Sequence, residues 1–194
     1  MADFNVITPL SHLGLVAGNE NSNAGVMVQD RRGLAIAQVF AKKGKTATIA
    51  KKLGISAKPC MATEHKDYSA LPLSPGQWML FSTTGSDGSF QRLLQKKIAT
   101  SGYVSEQSHS RAIIRISGPR VLDVLAKECR LDLHPSVAGP GFCTQTTMAG
   151  VGVLIHKIDD SPTFDLVVFA GFADSFWRWI VQASAEFGVD QSWL

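Results

Sequence analysis

The 194-residue sequence has no apolar run approaching the roughly 20 residues that a membrane-crossing helix needs. Its first residues, MADFNVITPLSHLG, lack a basic start followed by an apolar block, so no secretory leader is expected. Cysteine is scarce: Cys60, Cys129 and Cys143 are widely spaced and no CxxC pair occurs. That pattern argues against a disulfide framework and fits free thiols in a reducing cytoplasm. Short chemical signatures are missing too. There is no GxGxxG for a dinucleotide, no GxSxG nucleophile turn and no HExxH zinc pair. Gly44-Lys45-Thr46 resembles the end of a phosphate loop, but Val39 stands where that loop needs its first glycine. His12, His65, His109, His134 and His156 occur singly, without the spacing of metal ligands. Catalytic, cofactor-binding and metal residues are therefore not expected on this chain.

Hydrophobic residues make up 45% of the sequence, enough to build a core, and the net charge of +3 is unevenly distributed. Residues 1–100 carry a net +6, whereas residues 101–194 carry −3. Two chemically different lobes fit this asymmetry. No arginine-rich run interleaved with aromatics accompanies the basic half, so nucleic acid is not the expected partner.

Residues 1–32 read as an extended arm. The run Asn19 to Gly25 is polar and turn-prone, and Pro9 sits among Val6, Ile7, Leu10, Leu13 and Leu15 without regular period. Such a segment docks onto something rather than folding alone. A first lobe then spans 33–104. Leu34 to Phe40 reads as a strand and Thr46 to Leu53 as a helix stopped by Gly54. Pro59 to Thr63 reads as a second strand and Tyr68 to Gly76, with Pro72 and Pro75, as a loop. Gln77 to Ser82 reads as a strand, Thr83 to Gly88 as a turn, Ser89 to Ile98 as a helix and Gly102 to Ser105 as a last strand. The order β-α-β-β-α-β is the ferredoxin-like signature.

The second lobe, 105–194, opens with a strand at Ala112 to Ile116. Ser117-Gly118-Pro119 leads into a helix with Pro119 at its first position and Val121, Leu122, Leu125 and Cys129 on its apolar face. Cys143 to Met148, Val151 to Ile158 and Phe164 to Phe169 read as strands. A final helix from Phe172 to Phe187 carries the stripe Phe172, Phe176, Trp179, Ile180, Ala183 and Phe187. The halves also echo each other: QWMLFSTTGSDGSFQRLLQKK and FDLVVFAGFADSFWRWIVQAS both run strand, small-residue turn, then a Ser-Phe-x-Arg helix. The expected architecture is α+β, in two lobes of mainly antiparallel sheet with helices.

Two groups of side chains merit weighing. Gln107, Ser108, His109 and Arg111 form a polar cluster at a strand start. It either binds a ligand or ties down the crossing between lobes, and the absence of a nearby acid or nucleophile favours the second. Arg111, Arg115 and Arg120 can pair with a carboxylate, or simply stay solvated. On the last helix, Trp177 and Val181 fall off the apolar stripe. Large aromatics are enriched at interfaces, so Trp177 and Val181 are candidates for a subunit contact, with Leu10 and Leu13 from the arm. Packing between lobes is the other reading of Trp177.

Taken together, QSHSRAIIRISGPRVLDVLAK, the turn Asp132-Leu133-His134-Pro135, the hairpin DDSPTFDLVV and the ending SFWRWIVQASAEFG resemble the gamma subunit of heterotetrameric sarcosine oxidase. The similarity is dense over about 105–188 and weaker over 33–104, where GLAIAQVFAKKG and PGQWMLFS still fit. Glu106 and Ser110 depart from the family's aspartate and glycine around QSH. That family is similar in turn to the folate-binding lobe of the glycine-cleavage aminomethyltransferase, which implies an aminomethyltransferase-like second lobe. Where the transferase carries paired aspartates, this chain has Val151 and Gly152. Neither can serve as a general base. The resemblance implies a non-catalytic subunit of a cytoplasmic complex that oxidatively demethylates sarcosine to glycine with oxygen and tetrahydrofolate. It implies alpha, beta and delta partners, the folate-binding alpha most directly. FAD, FMN, NAD, tetrahydrofolate and zinc would then sit on those partners and none on this chain. Two alternatives stay open: a gamma-type subunit of an oxidase or dehydrogenase for another N-methylated amino acid, and a free folate-binding protein.

Overall fold

A computed structural model describes residues 7–18, 23–85 and 88–194. Val6, most of the expected 19–25 loop and residues 86–87 of the expected turn lie outside these. The chain divides into two compact units, one of residues 33–108 with 141–144, the other of 1–32, 109–140 and 145–194. Two strands come first, β1 (Val16–Ala17) and β2 (Val26–Asp30), and both belong to the second of these units.

The unit built on residues 33–108 contains β3 (Ala35–Ala41), α1 (Thr46–Leu53), β4 (Thr63–His65), β5 (Tyr68–Ser74), β6 (Gln77–Ser82), α2 (Ser89–Ile98) and β7 (Gly102–Glu106). The sheet order is β4-β5-β6-β3-β7, with every pair antiparallel. With the short edge strand β4 set aside, this is the ferredoxin-like order anticipated from sequence. Alternate residues along a strand share a face. Thus Ala35, Ala37 and Val39 of β3 and Trp78 and Leu80 of β6 turn to one side and bury Ile49, Leu53, Phe90, Leu94 and Ile98 of the helices. Helix α1 stops as predicted at Gly54, whose φ of 63° is left-handed. Gly54 N–H donates to Lys51 O, and Ile55 N–H reaches back to Ala50 O at 3.0 Å.

Two readings of this unit are corrected. Tyr68 to Gly76 is not a loop, because Tyr68–Ser74 is a strand that pairs with β6 from Ser69 to Pro72 and again at Ser74. Pro72 is accommodated where the register shifts between Pro72 and Ser74, beyond the point where β4 pairs with β5. Between Pro59 and Thr63 only Met61 makes a bridge, and the strand starts at Thr63. Gly102 is a packing requirement. A Cβ there would lie 2.2 Å from the Phe40 carbonyl oxygen and 2.7 Å from Ile49 Cδ1. Gly102→Ala should therefore destabilise the chain by roughly 1–3 kcal/mol, read as a lower urea midpoint for protease cleavage.

The other unit continues with β8 (Arg111–Ser117), α3 (Val121–Ala126), β9 (Cys143–Met148, whose first two residues divide with the first unit), β10 (Val151–Lys157), β11 (Phe164–Phe169), α4 (Ala173–Ser184) and β12 (Val189–Trp193). Its sheet runs β1-β12-β2-β8-β11-β10-β9. Strand β12 lies parallel to β1 and β2, while β2-β8, β8-β11 and β11-β10 are antiparallel. Val26, Val28, Ile114, Ile116, Leu166 and Val168 are buried, as are Phe176, Trp177 and Ile180 of α4 and Val121, Val124 and Leu125 of α3. Helix α4 packs on β2, β8 and α3.

Three expectations change here. The described residues of the expected extended arm 1–32 join the chain's own second unit: β2 is an inner strand and Leu10 is fully buried. Its alternation covers only the five residues VMVQD, too short to stand out beside polar neighbours. Helix α3 begins at Val121, with Pro119 in the preceding turn rather than at the first helical position. The buried stripe of α4 is Ala173, Phe176, Trp177, Ile180, Ala183 and Ser184. This leaves Phe172 exposed and Trp179 half-buried, stacked on Phe176 at 5.5 Å.

Candidate functional site

Strand register sets a row of polar side chains across one face of the seven-stranded sheet. Ser192 of β12 opposes Gln29 of β2, which opposes Arg115 of β8, which opposes Asp165 of β11, which opposes His156 of β10. Directly opposed residues share a face, so all five project from the side opposite Val28, Ile116 and Phe164. Gln29 donates to Ser192 Oγ at 3.2 Å.

Asp165 is the centre of this row. Arg115 Nε and Nη2 donate to its two carboxylate oxygens at 2.8 and 3.0 Å, a paired contact. Arg31, two residues beyond Gln29 and hence on the same face, adds Nη1 to Oδ2 at 2.5 Å. The Asp165 side chain is only 6% exposed. One buried carboxylate therefore holds two guanidinium groups, and both of its oxygens accept from them. This arrangement organises three strands and leaves no free oxygen aimed at a substrate.

A second buried carboxylate, Asp30, ends β2. Its Oδ2 accepts from Thr8 Oγ1 at 2.6 Å and Arg32 Nε at 2.9 Å, while Oδ1 has no partner among the described residues. The Arg32 guanidinium lies 5.2 Å from the Trp193 ring centroid. Buried Lys157 donates to Ala138 O at 2.7 Å and so pins the connection that follows α3.

The residues singled out from sequence separate into local roles. The division between units falls between Ser108 and His109. Ser108 Oγ accepts from the Ile36 N–H at 2.8 Å, and the Gln107 N–H donates to Ile36 O at 2.7 Å, both within the first unit. His109 is exposed. Arg111 stacks its guanidinium 3.5 Å from the Phe169 ring centroid, and burial lowers its pKa. Arg120 pairs with Asp123 at the surface. Of the proposed contact residues, Leu10 and Trp177 lie in the chain's own interior, whereas Leu13 and Val181 are half-buried. Phe169 (53%) and Phe172 (52%), on either side of the turn into α4, are exposed, as are Tyr103 and Trp193 elsewhere on the described surface. Among the described residues no group of three or more His, Cys, Asp or Glu side chains is placed to hold a metal ion. No helix among them is long and apolar enough to cross a membrane.

Sequence reading did not find the Asp165 centre. Its one signal was an acid within the apolar strand FDLVVF, beside the strand RAIIRIS in which Arg111 and Arg115, four apart and so on one face, interrupt an apolar run.

The sequence pattern described as "Sarcosine oxidase, gamma subunit family" matches residues 32–186. The sarcosine oxidase subunit gamma of Corynebacterium sp. strain P-1 is 30% identical over 89 residues, covering 46% of this chain and 43% of the relative. That of an Arthrobacter species is 30% identical over 120 residues, covering 61% and 58%. The alignments thus span about half the length of these curated relatives. Among solved structures, the heterotetrameric sarcosine oxidase of Corynebacterium sp. U-96 in complex with pyrrole 2-carboxylate matches with a TM-score of 0.80 and 23% identity, covering 93% of this chain and 95% of that one. The glycine cleavage system aminomethyltransferase T of Bartonella henselae matches with a TM-score of 0.65 and 14% identity, covering 95% and 50%. At these identities the two structures establish a common fold.

Proposed function

The chain belongs to the sarcosine oxidase gamma subunit family, and we propose that it is a non-catalytic subunit of an oxidase that demethylates sarcosine to glycine. The match over residues 32–186, which reaches into both units, carries this reading. The site geometry is consistent with it, because the buried charges are closed on one another rather than opened to a ligand. In this reading, alpha, beta and delta sister subunits hold FAD, FMN, NAD, tetrahydrofolate and zinc, and this chain braces the folate-binding alpha subunit. Phe169 and Phe172 supply the apolar contact, with Leu13 and Val181 at its margin.

Co-expression tests the proposal. Expressed alone, the chain should give little soluble material and no sarcosine-dependent oxygen uptake. Co-expressed with its alpha, beta and delta partners, it should co-purify as a complex that consumes oxygen with sarcosine. A panel of other N-methylated amino acids fixes the substrate. A stable monomer that does not bind the alpha subunit would overturn the assignment.

A further inference from the structure

Cys60 and Cys143 are distant in sequence but opposed in the fold. Met61 and Phe142 form an isolated antiparallel bridge. On one side of it Ala62 N–H donates to Gly141 O at 2.7 Å, and on the other Cys143 N–H donates to Cys60 O at 3.1 Å. The cysteines are the next residues outward from the bridged pair, one on each segment. Cys60 sits in a turn with a left-handed φ of 56°, and its carbonyl accepts the Cys143 N–H, which holds the two residues side by side. Opposed residues in a regular antiparallel pair have Cα atoms roughly 4.5–5.5 Å apart, inside the window of about 4.4–6.8 Å that a disulfide spans. Both residues belong to the same unit. Both thiols are free, Cys60 exposed and Cys143 buried. The third cysteine, Cys129, is also buried and belongs to the other unit.

We propose that Cys60 and Cys143 form a dithiol that hydrogen peroxide closes to a disulfide. The exposed Cys60 thiolate attacks peroxide, so an S–O bond forms, the O–O bond breaks and hydroxide leaves. The Cys143 sulfur then attacks the Cys60 sulfur. An S–S bond forms, the S–O bond breaks, and the departing oxygen leaves as water with the Cys143 proton. In all, two thiols lose two protons and two electrons, and one peroxide becomes two waters. Exposure assigns the order of events. Burial, with Cys60 nearby, pushes the Cys143 thiol up to about 12, which leaves the first attack to the exposed Cys60 and makes closure of the bond the slower step. The bond ties Cys143 to the turn ahead of β4 within the first unit. An oxygen-consuming amine oxidase would release this oxidant beside the chain, but the step needs only peroxide from any source.

The test uses the full chain co-purified with its partners. It is treated with hydrogen peroxide, alkylated in denaturant and digested without reductant. The expected product is a peptide pair joining Cys60 to Cys143, lighter by two hydrogens than the separate thiol peptides. It disappears with dithiothreitol, and Cys129 stays alkylated throughout. Cys60→Ser removes the cross-link and leaves Cys143 alkylated, whereas Cys143→Ala lets Cys60 proceed to sulfinic and sulfonic acids. A wild-type chain in which Cys60 over-oxidises or links to another molecule, while Cys143 remains alkylated, overturns the proposal. The wild-type readout does not depend on any variant folding. It also needs no sarcosine turnover, so its failure is separable from failure of the subunit assignment.

Discussion

Asp165→Ala is expected to destabilise the chain by about 3–5 kcal/mol, the usual result of removing one partner from a buried ion pair. The reason is the company Asp165 keeps. Arg115 meets both of its oxygens and Arg31 a third acceptor position, while the carboxylate itself is almost wholly buried. Without it, two guanidinium groups that are themselves less than a third exposed face each other with no anion between them. Desolvation then has no offsetting attraction. Asp165→Asn keeps the volume but not the charge, and should recover little. Arg31→Ala should be milder, because Arg115 retains its paired contact and the remaining pair is neutral. Replacing Arg31, Asp165 and Arg115 together by apolar residues of similar volume should restore most of the loss, since no buried charge is then left unmatched. The measurement is the urea midpoint for proteolysis of this chain in the co-purified complex. A change below about 1 kcal/mol for Asp165→Ala would mean that the group behaves as a solvated surface pair, and the buried-centre account would fail.

Asp165 was not legible in advance, and the contrast with what was legible has a physical basis. Helices α1 and α2 start and end where the sequence placed them, because four-residue spacing and a stop at Gly54 are local signals. Strand β11 was equally clear from the apolar run Phe164 to Phe169. By contrast, β2 and β12 are short, and what makes them strands is mutual parallel pairing across most of the chain's length. The stretch Tyr68 to Ser74 carries proline signals that its pairing with β6 overrides. The same holds for side chains. Arg111, Arg115 and Arg120 looked alike in sequence, yet one stacks on Phe169, one binds Asp165 and one, just ahead of α3, reaches Asp123 in its first turn. Only the strand register decides which arginine meets a buried acid.

Trp177→Ala should lower the chain's own stability by about 3–5 kcal/mol, the range for deleting a buried large aromatic. A stripe drawn through Phe172, Phe176, Trp179 and Phe187 leaves Trp177 pointing outward, which would make it a subunit contact. The observed stripe is turned toward Trp177, which is 2% exposed beside Phe176 and Ile180. Its Nε1 donates to Gln191 Oε1 at 3.0 Å, so the indole also fastens α4 to β12. Truncation removes the ring's packing and leaves a cavity. The lost hydrogen bond adds little, because Gln191 is exposed and its amide can turn to water. Trp177→Phe should therefore cost much less than Trp177→Ala, with packing rather than the indole N–H setting the size of the effect. Affinity for the alpha subunit, the partner proposed above, and the urea midpoint are to be measured on the same variants. Burial predicts that the midpoint falls for Trp177→Ala and that Phe169→Ser and Phe172→Ser weaken assembly at unchanged midpoint. A Trp177→Ala chain that keeps its midpoint but loses its partner would return this tryptophan to the surface and refute the packing derived for α4.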